Sequence, residues 1–136
     1  MFVDASAVIS IIAQEDDWTL LANSIARAEE VYVSPLSIWE SVLGLAKRRD
    51  WTFEESEQLV RDFLNEVGAQ LVEIDAEIGR EALRASRLYG KGRHKAALNF
   101  GDCFAYACAK VRGIPLLFKG EDFSGTDIQP ACPRRT

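Results

Sequence analysis

The sequence predicts an α/β fold, a three-layer α/β/α domain around a mostly parallel sheet of four to five strands. Three observations predict it. Short apolar and β-branched runs, "MFVD", "EVYVS", "AQLVEI" and "IPLLF", recur along the chain and have the character of strands. Between them lie segments with apolar residues at helical spacing, and such alternation builds a parallel sheet covered by helices on both faces. The chain has 136 residues and 48% hydrophobic content, which suits a single domain over residues 1–136 with one well-filled interior.

Taken in order, "MFVD" is a short buried strand, and "ASAVISIIAQ" continues it as a helix apolar all round, hence buried. "DDWTLLANSIARA" is amphipathic, with Trp18, Leu21, Ile25 and Ala28 at helical spacing. After "EVYVS", Ser34 stands at a cap position and Pro35 at the first helical position, which starts a helix running to about residue 49. Thr52 and Glu55 have the capping-box spacing, and their helix ends near Gly68. "AQLVEI" is the third strand. Asp75 caps the next helix, which runs through about Tyr89 into the polar, glycine-punctuated loop "GKGRHKAA". Asn99 caps the helix "LNFGDCFAYACAKV" and Gly113 stops it. "IPLLF" is the fourth strand and "TDIQP" a short fifth, before a frayed tail over about 130–136.

A net charge of −5 excludes a surface that grips nucleic acid through bulk positive potential, though not a local basic patch. The three cysteines, Cys103, Cys108 and Cys132, form no CxxC pair, which supports neither a disulfide framework nor a zinc site. A reducing cytoplasm is the matching compartment. The N-terminus lacks a charged leader, and no apolar run approaches the about 18 residues of a membrane span, so no membrane association is expected.

Open parallel sheets hold ligands beyond the carboxyl ends of their strands, and four acidic residues fall there. Asp4 ends the first strand, Glu40 lies on the helix after the second, Asp102 stands in the first turn of the last helix, and Asp122 follows the fourth strand. Each also has a plain structural explanation. Asp4 can cap the next helix. Glu40 flanks the apolar arc of Leu36, Ile38, Trp39, Val42, Leu43, Leu45 and Ala46, where a solvated glutamate fits. Asp122 shares the turn "KGEDFSGTD" with Glu121 and Asp127, and nothing in the sequence says which points inward. Asp102 gains about 0.3–1 kcal/mol from the helix dipole.

Asp102 is the hardest to dismiss. Phe100, Cys103, Phe104, Ala107, Cys108 and Val111 form one packed stripe, and the side around Asp102 offers Ala105, Tyr106 and Ala109, too apolar for a solvated face. The helix is therefore predicted to lie between two layers. Carboxylates gathered in such a cleft raise one another's pKa, and burying them unpaired costs several kcal/mol. They call for a cation. An oxygen-only donor set selects Mg²⁺ or Mn²⁺, ions that activate water and offset charge developing on a phosphodiester.

"VDASA" (3–7), Glu40, "LNFGDCFAYACAK" (98–110) and "PLLFKGEDFSGTDI" (115–128) together resemble the PIN-domain ribonucleases of VapC type, the toxins of bacterial type II toxin–antitoxin pairs. The resemblance covers the whole chain. It implies that Asp4 and Asp102 are metal ligands, that Glu40 and Asp122 complete a catalytic quartet, that Ser6 supports Asp4, and that Asn99 opens the helix of Asp102. The implied activity is Mg²⁺-dependent endonucleolytic cleavage of RNA, with Mn²⁺ able to substitute and with water activated by the metal as nucleophile. A homodimer is implied too, and a cognate VapB-like antitoxin whose C-terminal segment enters the groove. One departure is "HKAA" before Leu98, where relatives often carry a proline after the histidine and a basic residue or glycine before the leucine.

Lys91, Arg93 and Lys95, with Arg84 and Arg87 nearby, are candidates for RNA phosphate contacts. His94, the only histidine, has no second ligand near it and is expected to be exposed. Trp18, Trp39, Trp51 and Phe63 are expected to be core or dimer contacts. Two other functions compete with a nuclease: a receiver-type phosphoacceptor domain, with Lys119 as its lysine, and a non-catalytic partner-binding domain. The first wants paired acids after the first strand, whereas Ala5 and Ser6 follow Asp4.

Overall fold

A computed structural model describes residues 1–48 and 51–132. The chain runs β1 (Phe2–Val3), α1 (Ala5–Ala13), α2 (Trp18–Ala26), β2 (Tyr32–Val33), α3 (Pro35–Arg48), α4 (Phe53–Glu66), β3 (Gln70–Leu71), α5 (Ala76–Tyr89), α6 (Phe100–Arg112) and β4 (Leu116–Leu117). The four strands form one parallel sheet in the order β3-β2-β1-β4. The α/β class and parallel sheet are as the alternation of runs predicts.

Two-residue strands suffice because each carries one side chain to each layer. Phe2 registers with Tyr32 and Leu116, and Val3 with Leu117. Phe2 and Leu116 pack with Ile78, Ala82, Tyr106 and Ala109 of α5 and α6. Val3, Val33 and Leu117 face the other way, onto Val8, Leu21 and Ile25 of α1 and α2. A third apolar cluster, Ala13, Val42, Leu45 and Val60, joins α1, α3 and α4 beyond the sheet. Burial on both faces explains why β1 and β4 are continuously apolar rather than alternating. Only β3, at the edge, is exposed.

The caps fall where the sequence places them. Asp4, Thr52, Asp75 and Asn99 each accept a backbone N–H at the start of a helix, and Gly113 ends α6 with φ of 66°, a left-handed conformation that suits glycine. The expected fifth strand shrinks to one parallel bridge between Leu116 and Pro130. There the Leu116 N–H donates to the Gln129 carbonyl and the Ala131 N–H to the Leu116 carbonyl, both at 2.9 Å. The predicted end of the third helix at residue 49 and the tail from 133 onward lie outside the described residues.

Phe100 and His94 depart from expectation. Phe100 belongs to the packed stripe of α6 by periodicity, yet as the first residue of the helix it is 67% exposed, resting on Phe104 at the rim of a groove shared with α5. Trp39, expected as a core or dimer contact, is 57% exposed and lines a surface groove rather than the core. His94 is half-buried rather than exposed: its ring meets Tyr89 edge-on at 5.3 Å, and its Nδ1 accepts the Ala96 N–H at 3.0 Å. The loop folds back on itself because Gly90 and Leu98 pair. Among the described residues, no helix is long and apolar enough to cross a membrane.

The Thr52–Glu55 capping box satisfies two amides at the start of α4. Thr52→Ala is predicted to lower the unfolding free energy by about 1 kcal/mol in a denaturant titration, with an unchanged denaturant slope.

Candidate active site

Asp4 follows the last residue of β1, and its N–H donates to the Leu117 carbonyl at 2.9 Å. Its carboxylate turns back to cap α1, accepting the Ser6 N–H at 3.1 Å, and only 5% of the residue is exposed. Ser6 faces two ways. Its Oγ also accepts the Lys119 N–H at 3.0 Å, so one side chain ties the end of β1 to the segment that leaves β4 and leads to Asp122.

Glu40 arrives on α3. The start of that helix is fixed by Ser34 and Ser37, each taking the other's backbone N–H on its hydroxyl at 3.1 and 2.8 Å. Glu40 is half-buried, not a solvated flank, and its carboxylate lies against Gly101 of α6, where a Cβ would overlap it. Asp102 is half-buried in the first turn of α6. It forms a capping box with Asn99: the Asp102 N–H donates to Asn99 Oδ1 at 2.9 Å, and the Asn99 N–H returns to Asp102 Oδ2 at 3.1 Å. Ala105, Tyr106 and Ala109 behind it are all buried, so α6 does lie between layers as predicted.

Electrostatics join these positions. Burial pushes the Asp4 carboxyl above its usual range, against the pull of hydrogen bonds from Ser6 and Ala5, and the charge of Asp122 adds to the rise. Burial, then Asp4 and Asp102, lift Glu40 to about 7. Asp102 rises to about 6, mainly through burial, opposed by the Asn99 N–H and supported by Asp4 and Asp122. Four acids from four segments thus share one electrostatic neighbourhood.

The structure also separates the three acids of the turn after β4. Asp127 accepts from the Tyr106 hydroxyl and from Lys110 at 2.7 Å, and the Lys110 ammonium foremost holds it below the usual range. Glu121 accepts the Ser124 hydroxyl at 2.8 Å. Asp122 is the one whose charge reaches Asp4 and Asp102. The Lys119 ammonium pairs with Glu15 at 3.1 Å, which also holds Arg48; it does not serve the acids as a receiver lysine would. Lys91, Arg93 and Lys95 are exposed on the loop leading into α6, while Arg84 pairs with Glu81 at 2.8 Å. The thiols of Cys103 and Cys108 are buried and pushed up by that burial, as inert packing groups are.

Among the described residues, no three His, Cys, Asp or Glu side chains stand close enough together to ligate one ion. The donor chemistry nevertheless fits a hard cation. Every charge acting on Glu40 is negative, the donors are all oxygens, and bringing such groups to their ionised state at neutral pH calls for a positive charge between them.

A parallel sheet of order β3-β2-β1-β4 with acids gathered at its carboxyl edge defines a class, and residues 1–129 match the model of the PIN domain. Ribonuclease VapC42 of Mycobacterium tuberculosis is 40% identical over 133 residues, covering 97% of this chain and 99% of that one. Among solved structures, Mycobacterium tuberculosis VapC20, a sarcin–ricin loop cleaving toxin, aligns with a TM-score of 0.75 at 18% identity over 97% of this chain and 98% of that chain. A toxin–antitoxin complex from Klebsiella pneumoniae aligns with a TM-score of 0.68 at 18% identity, covering 93% of this chain and 92% of that chain. The chain belongs to the VapC ribonucleases of the PIN-domain family.

Sequence reasoning missed Gly101. The signal was in view, a glycine directly before the candidate aspartate, but only the approach of α3 gives it meaning.

Glu40 and Asp102 bind protons more readily in the folded protein than in the unfolded chain, where carboxyls titrate near about 4. From that value up to the folded pKa values of about 7 and about 6, the folded state carries the extra protons, so stability rises as pH falls. Chelator-treated protein is therefore predicted to melt at a higher temperature as the buffer goes from about pH 7.5 to about pH 5.5, and Glu40→Gln is predicted to flatten the slope. A melting temperature that falls through that window contradicts the gathered-acid site.

Proposed function

We propose that the protein is a Mg²⁺-dependent endoribonuclease, with Mn²⁺ able to substitute, and that it acts as the toxin of a cytoplasmic toxin–antitoxin pair. The observation that carries this is the convergence of Asp4, Glu40, Asp102 and Asp122 at the carboxyl edge of the sheet, with Glu40 lifted to about 7 and Asp102 to about 6. Its family membership supplies the substrate class, since VapC42 is named a ribonuclease.

In this reading Asp4 and Asp102 hold the ion, and Glu40 and Asp122 complete the site. When bound, the ion supplies Lewis acidity, making water a better nucleophile and offsetting charge on the cleaved phosphodiester. Asp4 is prepared for that role by its burial and by Ser6, which fixes the carboxylate through its N–H. Asn99 orients Asp102 through the reciprocal cap. Glu40, which burial and the charges of Asp4 and Asp102 lift to about 7 without the ion, completes the site as a carboxylate once the ion offsets that repulsion. Lys91, Arg93 and Lys95 offset the repulsion between an acidic site and an RNA backbone by meeting phosphates from the adjacent loop.

The chain also exposes two apolar surfaces. One groove, lined by Ile38, Trp39, Phe53, Val60, Leu64 and Leu71, has a volume of about 530 Å³; the other, of about 490 Å³, lies between α5 and α6 beside Leu83 and Phe100. Surfaces of that kind mark protein interfaces, which supports a homodimer and a VapB-like antitoxin as partners. The solved complex from Klebsiella pneumoniae, a toxin bound to its antitoxin, supports the second. We read residues 1–136 as one PIN domain.

Partner-free protein is expected to cut RNA with Mg²⁺ or Mn²⁺ and to stop with chelator. Asp102→Asn keeps a carbonyl oxygen for the Asn99 N–H, so it is expected to fold normally by circular dichroism while losing cleavage; full activity in that variant overturns the assignment. Replacing Lys91, Arg93 and Lys95 together by alanine is expected to raise KM for RNA and to flatten its dependence on salt, because fewer counterions are released on binding.

A further inference from the structure

We propose that Gly101 is the positioning residue for Glu40, its missing side chain forming the seat in which the Glu40 carboxylate rests beside Asp102. The inference rests on the nuclease reading of the four acids. Gly101 is buried in the first turn of α6, where glycine is a poorer helix former than alanine. Nothing in its backbone calls for glycine, since the glycines with positive φ are Gly68, Gly92, Gly113 and Gly120. What calls for it is space. A Cβ at position 101 would fall on Oε1, Oε2 and Cδ of Glu40 together.

The other helical glycines differ. A Cβ at Gly79 meets nothing, and one at Gly44 meets the side chain of Ile9, which is a matter of packing α3 on α1. At Gly101 alone among these three, the space is taken by a carboxylate of the site. That carboxylate is the far end of a flexible side chain on a neighbouring helix, so an added methyl group is relieved by moving Glu40, without parting α3 from α6. The cost then falls on where the Glu40 charge lies relative to Asp4 and Asp102, the two groups whose charges act on it, and not on the fold. Loss of a Cβ in α6 and the long reach of glutamate from α3 are two halves of one fit.

The test compares wild type, Gly101→Ala, Glu40→Gln and the double variant in cleavage of an RNA oligonucleotide with Mg²⁺. It adds melting temperatures in chelator for Gly101→Ala in the wild-type and Glu40→Ala backgrounds. Gly101→Ala is expected to lose about 10²-fold in kcat, the usual scale of an ångström-sized misplacement, with little change in KM. The double variant is expected to be no slower than the slower single variant, because both changes disable one group. Gly101→Ala is expected to raise the melting temperature more in the Glu40→Ala background, where the seat is empty, than in wild type. Wild-type kcat in Gly101→Ala, losses that multiply in the double variant, or equal shifts in melting temperature in the two backgrounds each overturn the proposal. If wild type itself cuts no RNA under any metal condition, the nuclease reading fails, and the pair of melting temperatures still decides whether position 101 seats Glu40.

Discussion

The structure turns on a buried carboxyl group among other acids. Asp4 stands at the carboxyl end of the central strand with 5% of its surface exposed, and Glu40, Asp102 and Asp122 act on it or on one another from three other segments. Such a grouping opposes folding, since desolvation and like charge both disfavour the ionised form. It persists because apolar layers on both faces of the sheet hold the strand ends regardless of what the acids prefer. The same unfavourable neighbourhood is the basis of the proposed cation binding, since a positive charge would offset the repulsion. Stability and chemistry pull in opposite directions here, as they do at many functional sites.

Two of the four acids work for the fold as well. Asp4 caps α1 and Asp102 closes the capping box of α6. The Asp4 cap uses Oδ2 for the Ser6 N–H, and the Asp102 cap uses Oδ2 for the Asn99 N–H. This double use fixes the carboxylates more firmly than side-chain packing alone, because the geometry of a helix start is set by the backbone. Ser6 and Gly101 extend the same economy. Ser6 joins the end of β1 to the segment after β4, and Gly101 lets a glutamate from the opposite layer reach the first turn of α6.

Much of this is legible in the sequence, for identifiable reasons. The caps at Thr52, Asp75 and Asn99 are local, so spacing alone reveals them. The burial of α6 follows from Ala105, Tyr106 and Ala109 on the side of Asp102. Glu40 is different. Periodicity places it at the edge of an apolar arc, where most glutamates are solvated, and only the meeting of α3 with α6 turns it inward. The choice among Glu121, Asp122 and Asp127 depends on Tyr106 and Lys110 drawing Asp127 away, a contact between distant parts of the chain. Phe100 and His94 depart from expectation for the same reason: helix ends and loops take their surroundings from tertiary packing, which a single sequence pattern does not contain.

The most direct test of the central claim is a carbon-detected NMR titration of the side-chain carboxyls in chelator-treated protein. The account predicts that Glu40 titrates near 7 and Asp102 near 6, and that Asp4→Asn moves both toward the ordinary carboxyl range of about 4. Ordinary values for both residues in the wild type, unmoved by Asp4→Asn, would contradict it.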